Sequence, residues 1–264
     1  MIEWCVQHQG YLHELCVQAG EAIMEIYKSD FQVSYKQDHH PVTKADQLSE
    51  AIIIKGLQAI APNIPIIAEE SFSSKPPNQP ITDRYFWLVD PLDGTKEFLC
   101  RNGEFSVNIG LIEDNKTIMG MIYAPATQTL YYGVKTKGAW KQQIGQDIRY
   151  HSIRCNAFVE DGLVMVASRR HGDLDHSNPL FFNIKVKDRV DMGSSLKFCL
   201  IAEGKADFYP RIGRTMEWDT AAGQAILEAA GGSVTDMQGQ PFTYRKNSTF
   251  DNPSFVAWHH AINP

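Results

Sequence analysis

Cysteine is sparse. Cys5, Cys16, Cys100, Cys155 and Cys199 are scattered through 264 positions without a C-x-x-C pair. An odd, dispersed set makes no disulfide framework and suits free thiols in a reducing cytoplasm. Long apolar runs are missing as well. Lys55 interrupts the longest, 51–61, and nothing approaches the roughly 20 residues that span a bilayer. The opening Met-Ile-Glu-Trp-Cys has no basic segment followed by an apolar one, so no signal peptide is expected. Basic excess is lacking too. A net charge of −6 excludes a surface built for nucleic-acid polymers or anionic membranes, but leaves room for one basic pocket and for a peripheral position at the inner membrane face. Repeats and low-complexity tracts are absent. What remains, 43% hydrophobic and 21% charged residues, suits an ordinary globular protein of one large domain or two moderate ones.

Hydrophobic spacing sets out the elements. Leu12, Leu15, Ala19, Ile23 and Ile26 recur at helical intervals and predict an amphipathic helix over 4–28. Thr43-Lys-Ala-Asp46 reads as an N-cap with an acid in the first turn; Leu48, Ile52, Ile53, Leu57 and Ile60 extend that helix until Pro62 ends it. Residues 64–68 run as a strand into Glu69-Glu70, and 71–84 read as a proline-containing surface loop. Successive strands follow at 85–89, 105–112, 117–123 and 129–134, with a hairpin-like turn at 113–116. The polar stretch 141–160 shows no core face. A boundary near it divides an α+β region, 1–150, from an α/β region, 151–264. In the second, strands at 163–167, 184–190, 206–209 and 255–258 are interspersed with helices around 194–204 and 219–230, the latter closed by Gly231-Gly232.

The chemistry is concentrated in a few acids. Glu69-Glu70 is followed, after a gap, by Asp90-Pro-Leu-Asp-Gly-Thr95, delivered straight from the apolar run Trp87-Leu-Val89. Carboxylates gathered at the exit of a buried strand are costly unless a positive charge neutralises them. Oxygen ligands suit a hard ion such as Mg²⁺, which binds through a few carboxylates together with substrate phosphate. Asp90 and Asp93, three apart across a Pro-Leu turn, can face one ion together with the Leu92 carbonyl, and Glu69 joins them if its strand lies alongside. Gly94-Thr95 frees backbone N–H groups where a helix could begin, a seat for phosphate. Far downstream, Glu217-Trp-Asp219-Thr-Ala-Ala-Gly223 opens an Ala-rich helix with Asp219 near its start. Singly, Asp46 and Asp219 read as helix-capping acids, Glu69-Glu70 as a solvated edge and Asp90-Pro as a turn. Together they point to metal beside phosphate. An EF-hand loop from Asp90 fails, because Leu92, Gly94 and Arg101 stand where it needs oxygen side chains. An aspartyl-phosphate mechanism of the haloacid dehalogenase type fails as well, because two residues, not one, separate the acids.

Asp90-Pro-Leu-Asp-Gly-Thr95 and Trp218-Asp-Thr-Ala-Ala-Gly223 resemble the two signatures of the inositol monophosphatase superfamily, lithium-sensitive and Mg²⁺-dependent phosphatases, in order and spacing. Asp93-Gly-Thr-Lys-Glu-Phe98, Gly193-Ser-Ser-Leu-Lys-Phe-Cys199, Ala202-Glu-Gly204 and Tyr209-Pro-Arg211 further resemble its bacterial CysQ group, the 3′(2′),5′-bisphosphate nucleotidases. The resemblance implies a layered αβαβα sugar-phosphatase fold, α/β in class, and two or three Mg²⁺ ions. Glu69, Asp90 and the Leu92 carbonyl would hold the ion whose water attacks; Asp90, Asp93 and Asp219 would hold a second. Thr95 and Asp46 would orient the water and take up its proton, and the Gly94 and Thr95 amides would hold phosphoryl oxygens.

The same resemblance implies adenosine 3′,5′-bisphosphate as substrate, AMP and phosphate as products, and a place in sulfur metabolism. Lys197 and Arg211 match positions near the nucleotide, Ser194 offers a hydroxyl, and His171 approaches base or sugar. A broad inositol or sugar phosphatase is the alternative within the superfamily; a non-catalytic nucleotide or metal sensor is the alternative from another class. His39-His40 and His259-His260 have no partners at ligand spacing and read as surface histidines. No exposed apolar stripe sets an oligomeric state.

Overall fold

The apolar runs of the first half assemble into one sheet. A computed structural model describes residues 1–30, 33–35, 41–74, 81–146, 149–156, 162–169, 181, 184–245 and 247–260. The seven strands Ile66–Ala68, Tyr85–Asp93, Ser106–Glu113, Lys116–Ala124, Thr129–Val134, Gly138–Gln143 and His151–Ile153 lie side by side in chain order. The first pair is parallel and the rest antiparallel. Side chains alternate between faces, so Trp87 and Val89 enter one core while Phe86 and Leu88 enter another.

Helices α1 (Ile2–Gln7), α2 (Gln9–Tyr27) and α3 (Lys44–Ile60) cover the Trp87 face. The single helix expected over 4–28 is interrupted at His8, where φ −97° and ψ 6° leave the helical region. Two short helices, α4 (Glu69–Ser74) and α5 (Thr95–Leu99), follow the first two strands of the sheet directly. On the opposite face lie α6 (Leu196–Ala202) and α7 (Glu217–Ala229). Beyond them is a five-stranded sheet in the order Val186–Asp191, Leu163–Ala167, Phe208–Arg211, Phe255–Trp258 and Ser233–Asp236. Its far face buries Met165, Phe208 and Trp258 with Phe181. This is the expected layered α/β fold.

One row of glycines fixes how the layers meet. Gly110, Gly120 and Gly133 pair across three adjacent strands. A Cβ at Gly120 would stand 2.2 Å from the Ala222 carbonyl oxygen, and one at Gly133 2.6 Å from Ile226 Cα. With no side chains on that row, and Ala221, Ala222 and Ala225 facing it, the α7 backbone lies directly on the sheet. The Ala-rich composition of 221–225 is therefore a packing requirement.

Three local expectations need correction. Residues 71–74 belong to α4 rather than to a surface loop, while 75–80 lie outside the described residues. The stretch 141–160 does have a core-facing part. Gly138–Gln143 pairs with the Thr129–Val134 strand and His151–Ile153 extends the sheet, with Ala139 and Gln142 buried among half-buried neighbours. His259 is 6% exposed, and its Nδ1 lies 2.9 Å from the Asn156 carbonyl, so it is a core histidine; His39-His40 fall outside the described residues. The five cysteines are thiols outside any disulfide, as expected. Among the described residues no helix is long and apolar enough to cross a membrane.

Candidate active site

The parallel register does what the sequence could only allow. Ala68 pairs with Val89, so Glu69 and Asp90 emerge side by side from adjacent strands. The Leu92 N–H donates to Asp90 Oδ1 at 3.0 Å, and the strand register shifts between Asp90, opposite Asn108, and Asp93, opposite Ser106. This irregularity carries both acids to one end of the sheet. The Ser49 hydroxyl of α3 donates to the Pro91 carbonyl at 2.7 Å and pins the turn. Gly94 follows with φ 90°, a conformation that favours glycine, and opens α5.

Asp46 and Asp219 occupy equivalent positions, each third in its helix. Asp46 Oδ2 accepts from the Thr43 N–H and hydroxyl at 2.7 and 2.8 Å, the capping arrangement read from the sequence. Its Oδ1 faces the Thr95 hydroxyl at 3.4 Å, while that hydroxyl also lies 3.3 Å from the Leu92 carbonyl. Asp219 Oδ2 accepts from the Met216 N–H at 2.8 Å. Each acid thus closes its own helix with one oxygen and presents the other side of the carboxylate to the cleft.

The acids repel one another. Burial, then Glu69, Asp93 and Asp219, push Asp90 far above the ordinary carboxylate range. Burial, Asp93 and Glu69 do the same to Asp219. Burial raises Asp93 to about 6, against the opposing pull of Lys197 and of hydrogen bonds from Ser195 and Asn108. Burial likewise raises Asp46 to about 6 despite its Thr43 bonds, with Glu69 adding to the rise. Glu69, Asp90, Asp93 and Asp219, from two halves of the chain, therefore share one electrostatic centre. Among the described residues, no three Asp, Glu, His or Cys side chains stand close enough to grip an ion as they are. A hard cation is the counter-charge this all-oxygen donor set fits.

Facing the acids is a cavity of about 280 Å³ lined by Asp93, Gly94, Ser194, Lys197, Arg211 and Asp219 among others. Lys197 is only 6% exposed. Its Nζ donates to the Ser194 carbonyl at 2.5 Å and lies 5.1 Å from the Tyr209 ring centre. Burial lowers it to about 8, with Asp93 pulling the other way, so it stays charged at neutral pH. The Arg211 Nε is buried without a hydrogen-bond partner among the described residues, a donor waiting for an acceptor. Ser194 holds φ 51° at the cavity wall. His171 lies outside the described residues.

Sequence reasoning missed several contributors. Arg214, Lys96 and Tyr209 also line the cavity. A buried trio supports Asp93: the Ser195 N–H donates to Asp93 Oδ2 at 2.5 Å, and Ser195 Oγ donates to Asn108 Oδ1 at 2.7 Å and lies 2.9 Å from Ser106 Oγ. Polar Ser106 and Asn108 inside an otherwise apolar strand were the available signal.

Comparison with known proteins identifies the family. The profile described as Inositol monophosphatase family matches residues 8–260. The 3′(2′),5′-bisphosphate nucleotidase CysQ of Salmonella typhimurium is 43% identical over 248 residues, 92% of this chain and 96% of that protein. The protein of the same name from Buchnera aphidicola is 45% identical over 251 residues, 92% of this chain and 91% of its own. The crystal structure of CysQ from Bacteroides thetaiotaomicron, a bacterial member of the inositol monophosphatase family, superposes with a TM-score of 0.78 at 34% identity, covering 96% of this chain and 97% of that one. With a profile spanning almost the whole sequence and relatives of this identity along nearly their full length, the chain belongs to the inositol monophosphatase family.

Proposed function

We propose that this chain is a phosphomonoesterase of the 3′(2′),5′-bisphosphate nucleotidase type, removing the 3′-phosphate of adenosine 3′,5′-bisphosphate to give AMP and phosphate. The observation that carries the reading is the gathering of Glu69, Asp90, Asp93 and Asp219, placed by strand register and a helix cap, at a cavity that also holds the buried Lys197. Such a cleft matches a substrate whose phosphates need cations at one end and a lysine or arginine at the other. The bisphosphate nucleotidases among its relatives narrow the substrate class.

Glu69, Asp90 and the Leu92 carbonyl would hold one Mg²⁺, and Asp90, Asp93 and Asp219 another. Bound there, magnesium supplies a lowered pKa for water and charge neutralisation at the leaving oxygen. The remaining work falls to the chain. Thr95 accepts a hydrogen bond from the attacking water and passes its own proton toward Asp46, whose Oδ1 lies 3.4 Å from the Thr95 hydroxyl. The Gly94 and Thr95 amides at the start of α5 orient the phosphoryl oxygens. Lys197, Arg211 and the Ser194 hydroxyl bind the rest of the nucleotide, with Tyr209 walling the cavity.

Phosphate release from adenosine 3′,5′-bisphosphate and from myo-inositol 1-phosphate, in Mg²⁺ and then in EDTA, tests this. The bisphosphate should be strongly preferred and EDTA should abolish turnover. Equal or faster turnover of the inositol ester would overturn the substrate assignment, and full activity in EDTA would overturn the metal.

A further inference from the structure

Glu50 has no part in the chemistry just described, yet it is a carboxylate only 5% exposed. It lies one helical turn beyond Asp46 on α3. Its Oε2 accepts from the Glu70 N–H at 2.8 Å; its Oε1 accepts from the Ser71 N–H at 2.8 Å and the Ser71 hydroxyl at 2.5 Å. Those amides belong to the first turn of α4. A helix leaves its first amides without acceptors of its own, and the residue before α4 is Ala68, whose methyl group cannot cap them. The cap comes instead from a different helix.

We propose that Glu50 is a positioning residue that clamps the start of α4 and so aims Glu69 at Asp90. Gathering another carboxylate beside Glu69 and Glu70 is unfavourable unless its oxygens are bound by donors, and here both are. The neighbouring contacts serve the same purpose. Ser49 binds the Pro91 carbonyl at 2.7 Å, and Asp46 Oδ1 meets the Thr95 hydroxyl at 3.4 Å. One face of α3 therefore touches the segment carrying Glu69, the turn carrying Asp90 and Asp93, and the start of α5. It acts as a single alignment bar for every first-half ligand.

The inference rests on the reading of Glu69 as a magnesium ligand, and the experiment separates the two. Amide hydrogen exchange at Glu70 and Ser71 in the metal-free protein reports the clamp. Mn²⁺ affinity by electron paramagnetic resonance reports the site without turnover. Glu50→Ala should speed exchange at both amides on the order of tenfold and weaken Mn²⁺ binding about 10- to 100-fold. Glu50→Gln, which keeps one acceptor oxygen, should fall between, and KM at saturating metal should stay near wild type in both. Glu69→Gln should weaken Mn²⁺ binding without changing that exchange. Faster exchange in Glu50→Ala with wild-type Mn²⁺ affinity, while Glu69→Gln loses affinity, would sink the clamp. Unchanged affinity in Glu69→Gln would sink the metal reading instead. Should the alanine variant not fold, wild-type exchange and affinity in Glu50→Gln overturn the proposal.

Discussion

The two walls of the cleft are built by opposite means. The acidic wall has its carboxylates fixed by backbone register, helix caps and the α3 contacts, and its charges repel one another. The basic wall is assembled from side chains of the second half. Lys197 leans on carbonyls and a tyrosine ring, Arg211 keeps a donor unused, and Arg214 is an exposed residue paired with Asp251 at 2.5 Å. A wall that must present charge to a reacting centre needs rigid placement; one that reads a substrate needs unfilled hydrogen-bonding capacity. On the proposed function, the first wall would govern rate and the second affinity.

The sharpest way to break that division is Asp93→Asn. It should lower kcat by about a hundredfold or more, on the order of 3 kcal/mol of charge stabilisation, with a small change in KM. Steady-state phosphate release at saturating Mg²⁺ measures it; a KM effect with normal kcat would put Asp93 on the wrong wall. Lys197→Ala is the converse. KM for the bisphosphate should rise about 10- to 100-fold, the range for a lost charge-assisted contact, and KM for a nucleoside monophosphate much less. Parallel losses on both substrates would reduce Lys197 to a structural lysine.

Gly120→Ala probes the joint between the walls. Its methyl would collide with the Ala222 carbonyl, so stability should fall by roughly 1–3 kcal/mol, seen as a melting temperature several degrees lower. An unchanged melting temperature would mean the helix is free to move away.

pH separates the walls next. Asp46 and Asp93 hold their protons to about 6 in the metal-free fold, whereas the unfolded chain releases them near 4. Between those values the folded state binds more protons, so these groups' contribution to stability falls as pH rises. Magnesium favours the ionised acids, so its stabilisation should be larger at pH 7.5 than at pH 5, as scanning calorimetry can show. On the other wall Lys197 loses its charge above about 8, so KM should climb there. The smallest effect belongs to Arg169→Ala. Its ion pair with Glu104 is partly exposed, so about 1 kcal/mol or less should be lost.

The sequence made the acidic wall readable because its information is local. Asp90-Pro-Leu-Asp sits at the end of an apolar strand, and Thr43 with Asp46 is a cap of fixed spacing. Glu69 required only that its strand lie parallel to the next, which Ala68 opposite Val89 provides. Asp219 needed the glycine row, a contact between distant parts of the chain that no local pattern displays. The basic wall was harder to read. Whether Lys197 is buried depends on Tyr209 and the 192–195 turn, and the Ser106, Asn108 and Ser195 trio depends on a buried contact between distant parts of the chain. The Gly138–Gln143 strand escaped notice because much of it carries polar side chains, and α4 because its cap lies nineteen positions earlier, on Glu50.

The bare backbone row under α7 also bears on traffic. A helix seated on a sheet with no side chains between them cannot swing away like a hinged door, so Asp219 and the Asp90–Asp93 strand travel as one body. Traffic through the cleft is therefore not set at this joint.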